Sequence, residues 1–470
     1  MLFKLTKEYI TGLSKSRLIE LILELQEKHN RLAIQLEDDT STEEEKEPRK
    51  NSENSSLPSS KDIAKGKVQT KTPQKKGPKF GHTGISRKRV AEPDIIIFNK
   101  IKKCPRTHQP IDSTSSSYQA HQVIELIPGA MQVIEIRRQT TTGPDGKTVT
   151  APNIDGIDDY QHYGPYLKSV VGSMRYEYHM EWDNIKKMLM AMYGFKKIAQ
   201  GALNNIFAEL KEELENDYAG IGKSVKEAKI KGADETGARI NGEPGWMWVF
   251  RTEDAAYYKA AKTRGHDVPV EVLGENVIGT LVTDFFGAYS EKFLKAENFQ
   301  KCLAHLARDL KFAIETNSNP DGFSCRLLDI LREAMNLKDN EVFNSSSFLI
   351  QKMEIYKNFD LLISDEKICC NRLEKRLLKR VRKYRKHLFV FLEKERVPFD
   401  NNGSERDIRM VVMFRNIYNG FRNLESAERL AVIFSVIQTC RKQGKDSFQR
   451  IQDVFGCGKF ISALNTVNSS

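Results

Sequence analysis

The stretch that most constrains this chain is Lys229 to Phe250, KIKGADETGARINGEPGWMWVF. Small and apolar residues alternate up to Asp234, Asn241-Gly242-Glu243-Pro244-Gly245 is a turn signal, and Trp246 to Phe250 is rich in strand formers. The pattern predicts a hairpin that holds one carboxylate, Asp234, at a fixed point. Glu235 has to point to the opposite face of that strand and is a poor ligand candidate. Two later stretches are built to bring more acid to the same point. In Gly279 to Tyr289, GTLVTDFFGAY, the apolar run Leu281-Val282 ends on Asp284 with an aromatic pair behind it. In Val397 to Arg409, VPFDNNGSERDIR, Pro398 and Asp400-Asn401-Asn402 predict a helix start, with Asp400 as the cap and Glu405 in the first turn.

Between these stretches, Ala255-Ala256-Tyr257-Tyr258 can add a third strand, and Val268 to Asn276 reads as a crossover toward the strand that ends at Asp284. Such an order places Asp234 and Asp284 on neighbouring strands and lets Glu405 reach them from a helix. It is the order of ribonuclease H-like nucleases.

Asp-Glu-Thr-Gly from Asp234, Thr-Asp-Phe-Phe-Gly-Ala-Tyr from Thr283, and Asp-Asn-Asn-x-x-Glu-Arg from Asp400 together resemble the catalytic set of the insertion-sequence-sixty-six family of DDE transposases. The resemblance implies an α/β fold with a ribonuclease H-like catalytic domain that cuts and joins DNA. It makes Asp234, Asp284 and Glu405 the catalytic, Mg²⁺-holding residues. Asp234 would bridge two ions, Asp284 would hold one and Glu405 the other, with Mn²⁺ able to substitute. Three carboxylates suit that chemistry, because Mg²⁺ takes hard oxygen ligands and keeps places for water and phosphate. A pair of such ions can both activate an attacking oxygen and stabilise a leaving one.

The chain has 470 residues, enough for two to four domains. Its 74 basic and 63 acidic residues leave a formal charge of +11, which favours a polyanionic partner. The charge is concentrated: from Lys61 to Val90 there are ten Lys or Arg against the single acid Asp62. The cysteines, seven in all, include no C-x-x-C pair, as in a reducing compartment. No apolar run is long enough for a membrane span and no signal-peptide pattern opens the chain, so a cytoplasmic protein is expected.

Residues 1–37 carry Leu18, Ile22, Leu25, His29, Leu32 and Leu36 at alternating steps, the seam of a short coiled coil or of a helix packed on its own domain. Residues 38–92 turn acidic and then basic with few large apolar side chains, the composition of a disordered linker. There, Lys75, Lys76 and Lys79 lie in a Gly/Pro/His segment that resembles the family and suits phosphate contact.

Residues 93–160 read as a small β unit built on strands near 94–98, 123–127 and 131–136. Family members carry a four-cysteine zinc ribbon here. This chain keeps Cys104 as the clear candidate ligand and His108 as a second, and has no Cys or His from Arg137 to Thr142, so zinc is not expected.

Residues 161–225 are helical, with helices predicted at 182–192 and 198–214 around a turn at Tyr193-Gly194, the outline of a helix-turn-helix. Lys196, Lys197, Gln200 and Asn204 are its candidate DNA contacts. Residues 226–440 form the catalytic domain, with a helical insertion at about 303–397, and residues 441–470 a tail.

Within the insertion, Cys302-Leu-Ala-His305-Leu-Ala-Arg308 matches a family segment. His305 is a candidate phosphate contact or a satisfied core histidine. Arg372 to Lys386 holds nine Lys or Arg and one Glu, with a single apolar stripe opposite. Lys379, Arg380 and Lys383 form its cationic ridge. Arg406 and Arg409, three residues apart beyond Glu405, are further DNA candidates.

The chain departs from the family at Asn416, commonly Lys, and at Ser426, commonly Gly. The expected partners are double-stranded DNA as terminal inverted repeats and target, a second copy of the chain at work, and helper proteins from the same element. Two other readings use the same residues: an inactive, transposase-derived DNA-binding protein, and a structure-specific nuclease on the same fold.

Overall fold

The computed structural model describes residues 89–111, 116–127, 130–153, 162–195, 198–317, 322–365, 368–369 and 371–468. The predicted helix at 1–37, nearly all of the linker with Lys75, Lys76 and Lys79, and Lys196 and Lys197 lie outside the described residues.

The described chain begins with a sheet of β1 (Ile95–Asn99), β2 (Ser116–Ile127), β3 (Ala130–Thr142) and β4 (Thr148–Thr150). A long β2–β3 hairpin is its spine, and β1 and β4 pair with the other edge of β3. Arg137 to Thr142 is uninterrupted strand, and Cys104 lies buried with Ile101, Val149 and Ala151.

Four helices follow: α1 (Pro165–Tyr176), α2 (Trp182–Tyr193), α3 (Gln200–Glu213) and α4 (Glu215–Glu227). Gly194, at φ 66°, caps α2 in the left-handed conformation that glycine adopts without a Cβ clash. Ile198, Leu203, Ile206, Leu210 and Leu214 make a buried stripe along α3 and its two ends.

The second sheet contains β5 (Ile230–Ile240), β6 (Glu243–Arg251), β7 (Ala256–Ala261), β8 (Asn276–Thr283) and β9 (Lys295–Lys301), in the order β7-β6-β5-β8-β9. The first three strands are antiparallel, and β8 and β9 run parallel to β5. The hairpin turn is tighter than the sequence suggests. Only Asn241 (φ 54°) and Gly242 (φ 80°) form it, a two-residue connection with both φ positive, so Pro244 and Gly245 belong to β6. Helix α5 (Asp267–Leu273) makes the predicted crossover. Strand β9, KAENFQK, has no strand signature, and its pairing with the buried β8 specifies it.

The insertion holds α6 (Leu303–Asn317), α7 (Phe323–Asn340), α8 (Ser346–Ser364), α9 (Arg372–Lys383) and the short α10 (Val390–Glu393) around their own core of Leu310, Leu327, Phe348, Phe359, Leu377 and Phe391. Val282 of β8 joins that core, so the insertion grows directly from the sheet.

The chain then returns through α11 (Asn402–Tyr418) and α12 (Leu424–Lys442) and ends in α13 (Ser447–Val454) and α14 (Cys457–Asn468). Helix α12 is buried on almost every side from Ala427 to Cys440. It also closes the free edge of β7, whose Tyr258 and Ala256 N–H groups donate to the Ser435 and Thr439 hydroxyls at 2.8 and 3.1 Å. Ser426 completes a capping box with Asn423 at the start of α12.

Two expected boundaries do not follow the packing. Val171, Leu189 and Ile206 of α1–α3 share one core with Met247 and Val249 of the second sheet and with Ile433 and Phe434 of α12. A helix as apolar as α12 needs cover on both sides, and the predicted 161–225 unit supplies it. The expected tail at 441–470 is also packed: Ile451 enters that core, and Phe460 is buried among Ile97, Val123, Ile134 and Ile136 of the first sheet. No helix of the described residues is long and apolar enough to cross a membrane.

The contact that positions the site is the start of α11 on β5. A Cβ at Gly232 would come within 2.5 Å of Ser404 Oγ and 3.2 Å of Asn401 Oδ1, and Asn401 Nδ2 donates to Ala233 O at 2.9 Å. Gly232→Val should therefore push α11 off the strand and cost about 1–3 kcal/mol by overpacking, read as a lower denaturation midpoint with an unchanged slope.

Candidate active site

In the parallel pairing of β5 with β8, Gly232 is the partner of Val282. Two residues beyond that pair on each chain stand Asp234, still within β5, and Asp284, just past the end of β8. Asp284 follows the last residue of β8, and its Oδ1 accepts the Phe286 N–H at 2.9 Å, which fixes a turn there. Glu405 approaches from the first turn of α11. Burial, and then the charges of Glu235, Asp284 and Glu405, hold the Asp234 carboxyl well above the usual range; the Glu235 N–H, donating to Asp234 Oδ1 at 2.9 Å, pulls the other way.

The three acids are electrostatic neighbours but are not gathered into one tight set. Among the described residues, the set of three potential ligand atoms within 4.8 Å of one another is that of Cys302, His305 and Glu405. Arg308 accounts for this by drawing Glu405 toward α6: its Nη2 donates to Glu405 Oε1 at 3.0 Å, and His305 Nδ1 lies 3.5 Å from the same oxygen. Burial, with the Arg308 charge behind it, lowers the His305 pKa and favours the neutral ring. Burial pushes the Cys302 thiol up to about 12, although the Asn401 N–H donates to its sulfur at 3.1 Å.

Asp284 and His305 open into a cleft of about 540 Å³ that they line with Phe285, Asp309, Tyr384 and four cations of α9. Arg376, Lys379, Arg380 and Lys383 recur at three- and four-residue steps, hence on one face, with Leu377, Leu378 and Val381 buried. Arg380 pairs with Asp309 across the cleft. The rest of the basic run is not all free: Arg382 donates to Ile363 O at 2.7 Å, and Arg385 grips Asp360.

Lys379, Arg380 and Lys383 therefore line the cleft. Arg406 and Arg409 are exposed on α11, and Gln200 is exposed at the start of α3. Asn204 is used within the fold, its Oδ1 accepting from Arg429 at 2.8 Å to tie α3 to α12. The cap of α11 also differs in detail: Asn401 holds the N-cap position, and Asp400 Oδ1 accepts from the Asn402 N–H at 3.0 Å.

Glu235 does face the other side of β5, but it is far from idle there. It accepts from the Tyr289 hydroxyl at 2.6 Å and from Arg264 at 2.6 and 2.9 Å. Burial, with the Asp284 charge adding to it, pushes the Glu235 carboxyl up to about 7. Arg264 lies over the Phe286 ring at 4.0 Å, so this network braces the turn that carries Asp284.

Lys301, at the end of β9, braces it from the other side. Its Nζ donates to Thr283 Oγ1 at 2.9 Å, Asp284 O at 2.8 Å and Tyr289 O at 3.4 Å, and the residue is 1 % exposed. Sequence reasoning missed Lys301 because nothing local distinguishes a strand-end lysine. Arg308 was within reach of it, being three residues beyond His305 on one helix face.

Acids carried by two adjacent strands and a covering helix, beside a cationic cleft, mark the site of a mixed α/β protein. The transposase IS66 family matches residues 161–429, more than half of the chain, and the chain belongs to that family of transposases. No curated protein matches it.

Burial lowers the Lys301 pKa from 10.5 to about 8. The unfolded chain then binds more protons between those values, so this group's contribution to stability rises as pH climbs from about 8 to 10.5. Lys301→Met should remove that rise, worth about 3 kcal/mol, when its unfolding free energy is compared with the parent's across the range.

Proposed function

We propose that this chain is a DDE transposase with a ribonuclease H-like catalytic domain that cuts DNA at the ends of an insertion sequence and joins them to target DNA. Asp234, Asp284 and Glu405 would hold its divalent cations, two Mg²⁺ with Mn²⁺ able to substitute. The observation that carries this reading is the placement of three acids by the fold: Asp234 on β5, Asp284 just past the end of the adjacent parallel β8, and Glu405 in the first turn of α11, which packs on β5 at Gly232. A cluster of hard oxygen donors that repel one another is the donor set that a divalent cation satisfies. The sheet order supports the same reading, with three antiparallel strands followed by two parallel to the first. When bound, the ions would supply activation of the attacking oxygen and stabilisation of the leaving one.

The protein's own groups orient and bind. Lys301 and the Glu235–Tyr289–Arg264 network hold the Asp284 turn against the sheet. Gly232 lets α11 deliver Glu405, and exchange of its Arg308 contact for a cation would bring Glu405 into the set. Arg376, Lys379, Arg380 and Lys383 would take backbone phosphates, which fixes register without reading bases. His305, neutral at the cleft wall, would lie beside the scissile phosphate.

Arg406, Arg409, Gln200, Lys196 and Lys197, with Lys75, Lys76 and Lys79 of the linker, would grip the flanking duplex. The first sheet would serve as a metal-free β unit. Two element ends must be held together, so the working form would be a dimer in the cytoplasm, with helper proteins from the same element.

Labelled element ends incubated with the purified chain and Mg²⁺ test the proposal. Joined products are expected; cleavage without joining would mark a structure-specific nuclease, and binding alone an inactive relative. Asp234→Asn should reduce cleavage to background while leaving DNA binding within about twofold, since it removes a charge the phosphates would not contact. Replacing both Lys379 and Lys383 by Ala should instead flatten the dependence of log K on log salt by about 2, one unit per lost phosphate contact.

A further inference from the structure

We infer that Cys302, His305 and Glu405 form a second metal site, for Zn²⁺ or another thiophilic divalent ion, whose filling withdraws Glu405 from the carboxylate set. The withdrawal rests on the reading of Glu405 as a catalytic ligand; the site itself does not. Its three ligand atoms already lie within 4.8 Å of one another. Zinc at ordinary bond lengths holds tetrahedral neighbours roughly 3.5 Å apart, so a contraction of about 1 Å completes the geometry.

The donor set selects the ion. A thiolate, an imidazole and one carboxylate suit zinc, with a fourth position left for water, whereas Mg²⁺ prefers oxygen alone. His305 Nδ1 is an independent sign of a missing partner: it is inaccessible to water and makes no hydrogen bond, although it lies 3.5 Å from Glu405 Oε1. A buried ring nitrogen without a hydrogen-bond partner is costly, and a metal ion would satisfy it.

The outer contacts of a metal site are in place as well. Cys302 Sγ receives the Asn401 N–H at 3.1 Å, and Glu405 Oε1 receives Arg308 at 3.0 Å. Such hydrogen bonds orient ligands and stabilise their anionic forms. On binding, the Sγ–H bond breaks, the proton leaves to solvent and a Zn–S bond forms, so thiolate and carboxylate together balance the ion's two charges.

Because Glu405 is shared, zinc and the full three-acid site exclude one another. Asn401 couples them physically, since its N–H holds the Cys302 sulfur while its side chain holds Ala233 O, next to Asp234. The site would thus silence cutting when a thiophilic ion is available.

Titrating the metal-free full chain with Co²⁺ tests this, because cobalt bound to thiolate absorbs through ligand-to-metal charge transfer. One Co²⁺ per chain, displaced by Zn²⁺, is expected in the parent and in Asp234→Asn. Cys302→Ser and His305→Gln should each weaken it by at least ~10-fold. No such absorption in the parent, or absorption unchanged in Cys302→Ser, overturns the site. Circular dichroism melts report whether each variant folds, and should Cys302→Ser fail to fold, His305→Gln decides alone.

In the Mg²⁺ cleavage assay, Zn²⁺ should suppress the parent more than Cys302→Ser, and equal suppression overturns the antagonism. A parent that cuts no DNA even without Zn²⁺ defeats the catalytic reading instead, and the cobalt titration still decides the metal site.

Discussion

The approach of α11 to β5 at Gly232 sets the distance at which everything else in the site operates. Strand and helix backbones ordinarily keep the separation that their side chains impose, and here one side has none. Ser404 and Asn401 fill the space a Cβ would take, and the Asn401 amide is tied to Ala233 O. Glu405, one residue beyond Ser404, is brought within electrostatic reach of Asp234 as a result. The helix is held in that place from behind by α12, whose apolar surface is covered by α1–α3 on one side and by the sheet on the other. The helices expected to stand apart as a DNA-binding unit are thus also part of what positions an acid.

Around the acids, the fold confines the charge. Asp234 and Asp284 come from adjacent strands because parallel pairing brings Gly232 opposite Val282, two residues before each acid. The turn bearing Asp284 is braced on one side by Lys301 and on the other by Glu235, Tyr289 and Arg264. Burial first, and then the charges of the neighbouring carboxylates, raise the Asp234 carboxyl. Arg308 relieves part of the repulsion by holding Glu405 toward α6. The same displacement brings Glu405 to Cys302 and His305, so one side chain stands between two donor sets of different chemical softness.

Several elements were legible along the chain. The β5–β6 hairpin, the crossover helix, the strand ending at Asp284, the helix carrying Glu405 and the cationic face of α9 each announce themselves through local periodicity or turn chemistry. Others were not. Strand β9 reads as polar coil and becomes a strand because β8 offers it an edge. Lys301 is an ordinary basic residue until the sheet buries it, and Asn204 looks free to touch DNA until α12 supplies Arg429. The predicted tail packs because Phe460 finds the face of the first sheet, a partner more than 300 residues away in sequence.

The sequence by itself determined which residues carry acid, which helix carries the cationic face and in what order the strands and helices follow, because those properties depend on neighbours a few positions apart. Only the tertiary structure decided how far apart the acids stand, which cations are spent on holding the fold, and that Cys302 and His305 share Glu405 with them. Those outcomes depend on contacts between segments distant along the chain, where packing and the balance of buried charge, rather than local propensity, fix each position.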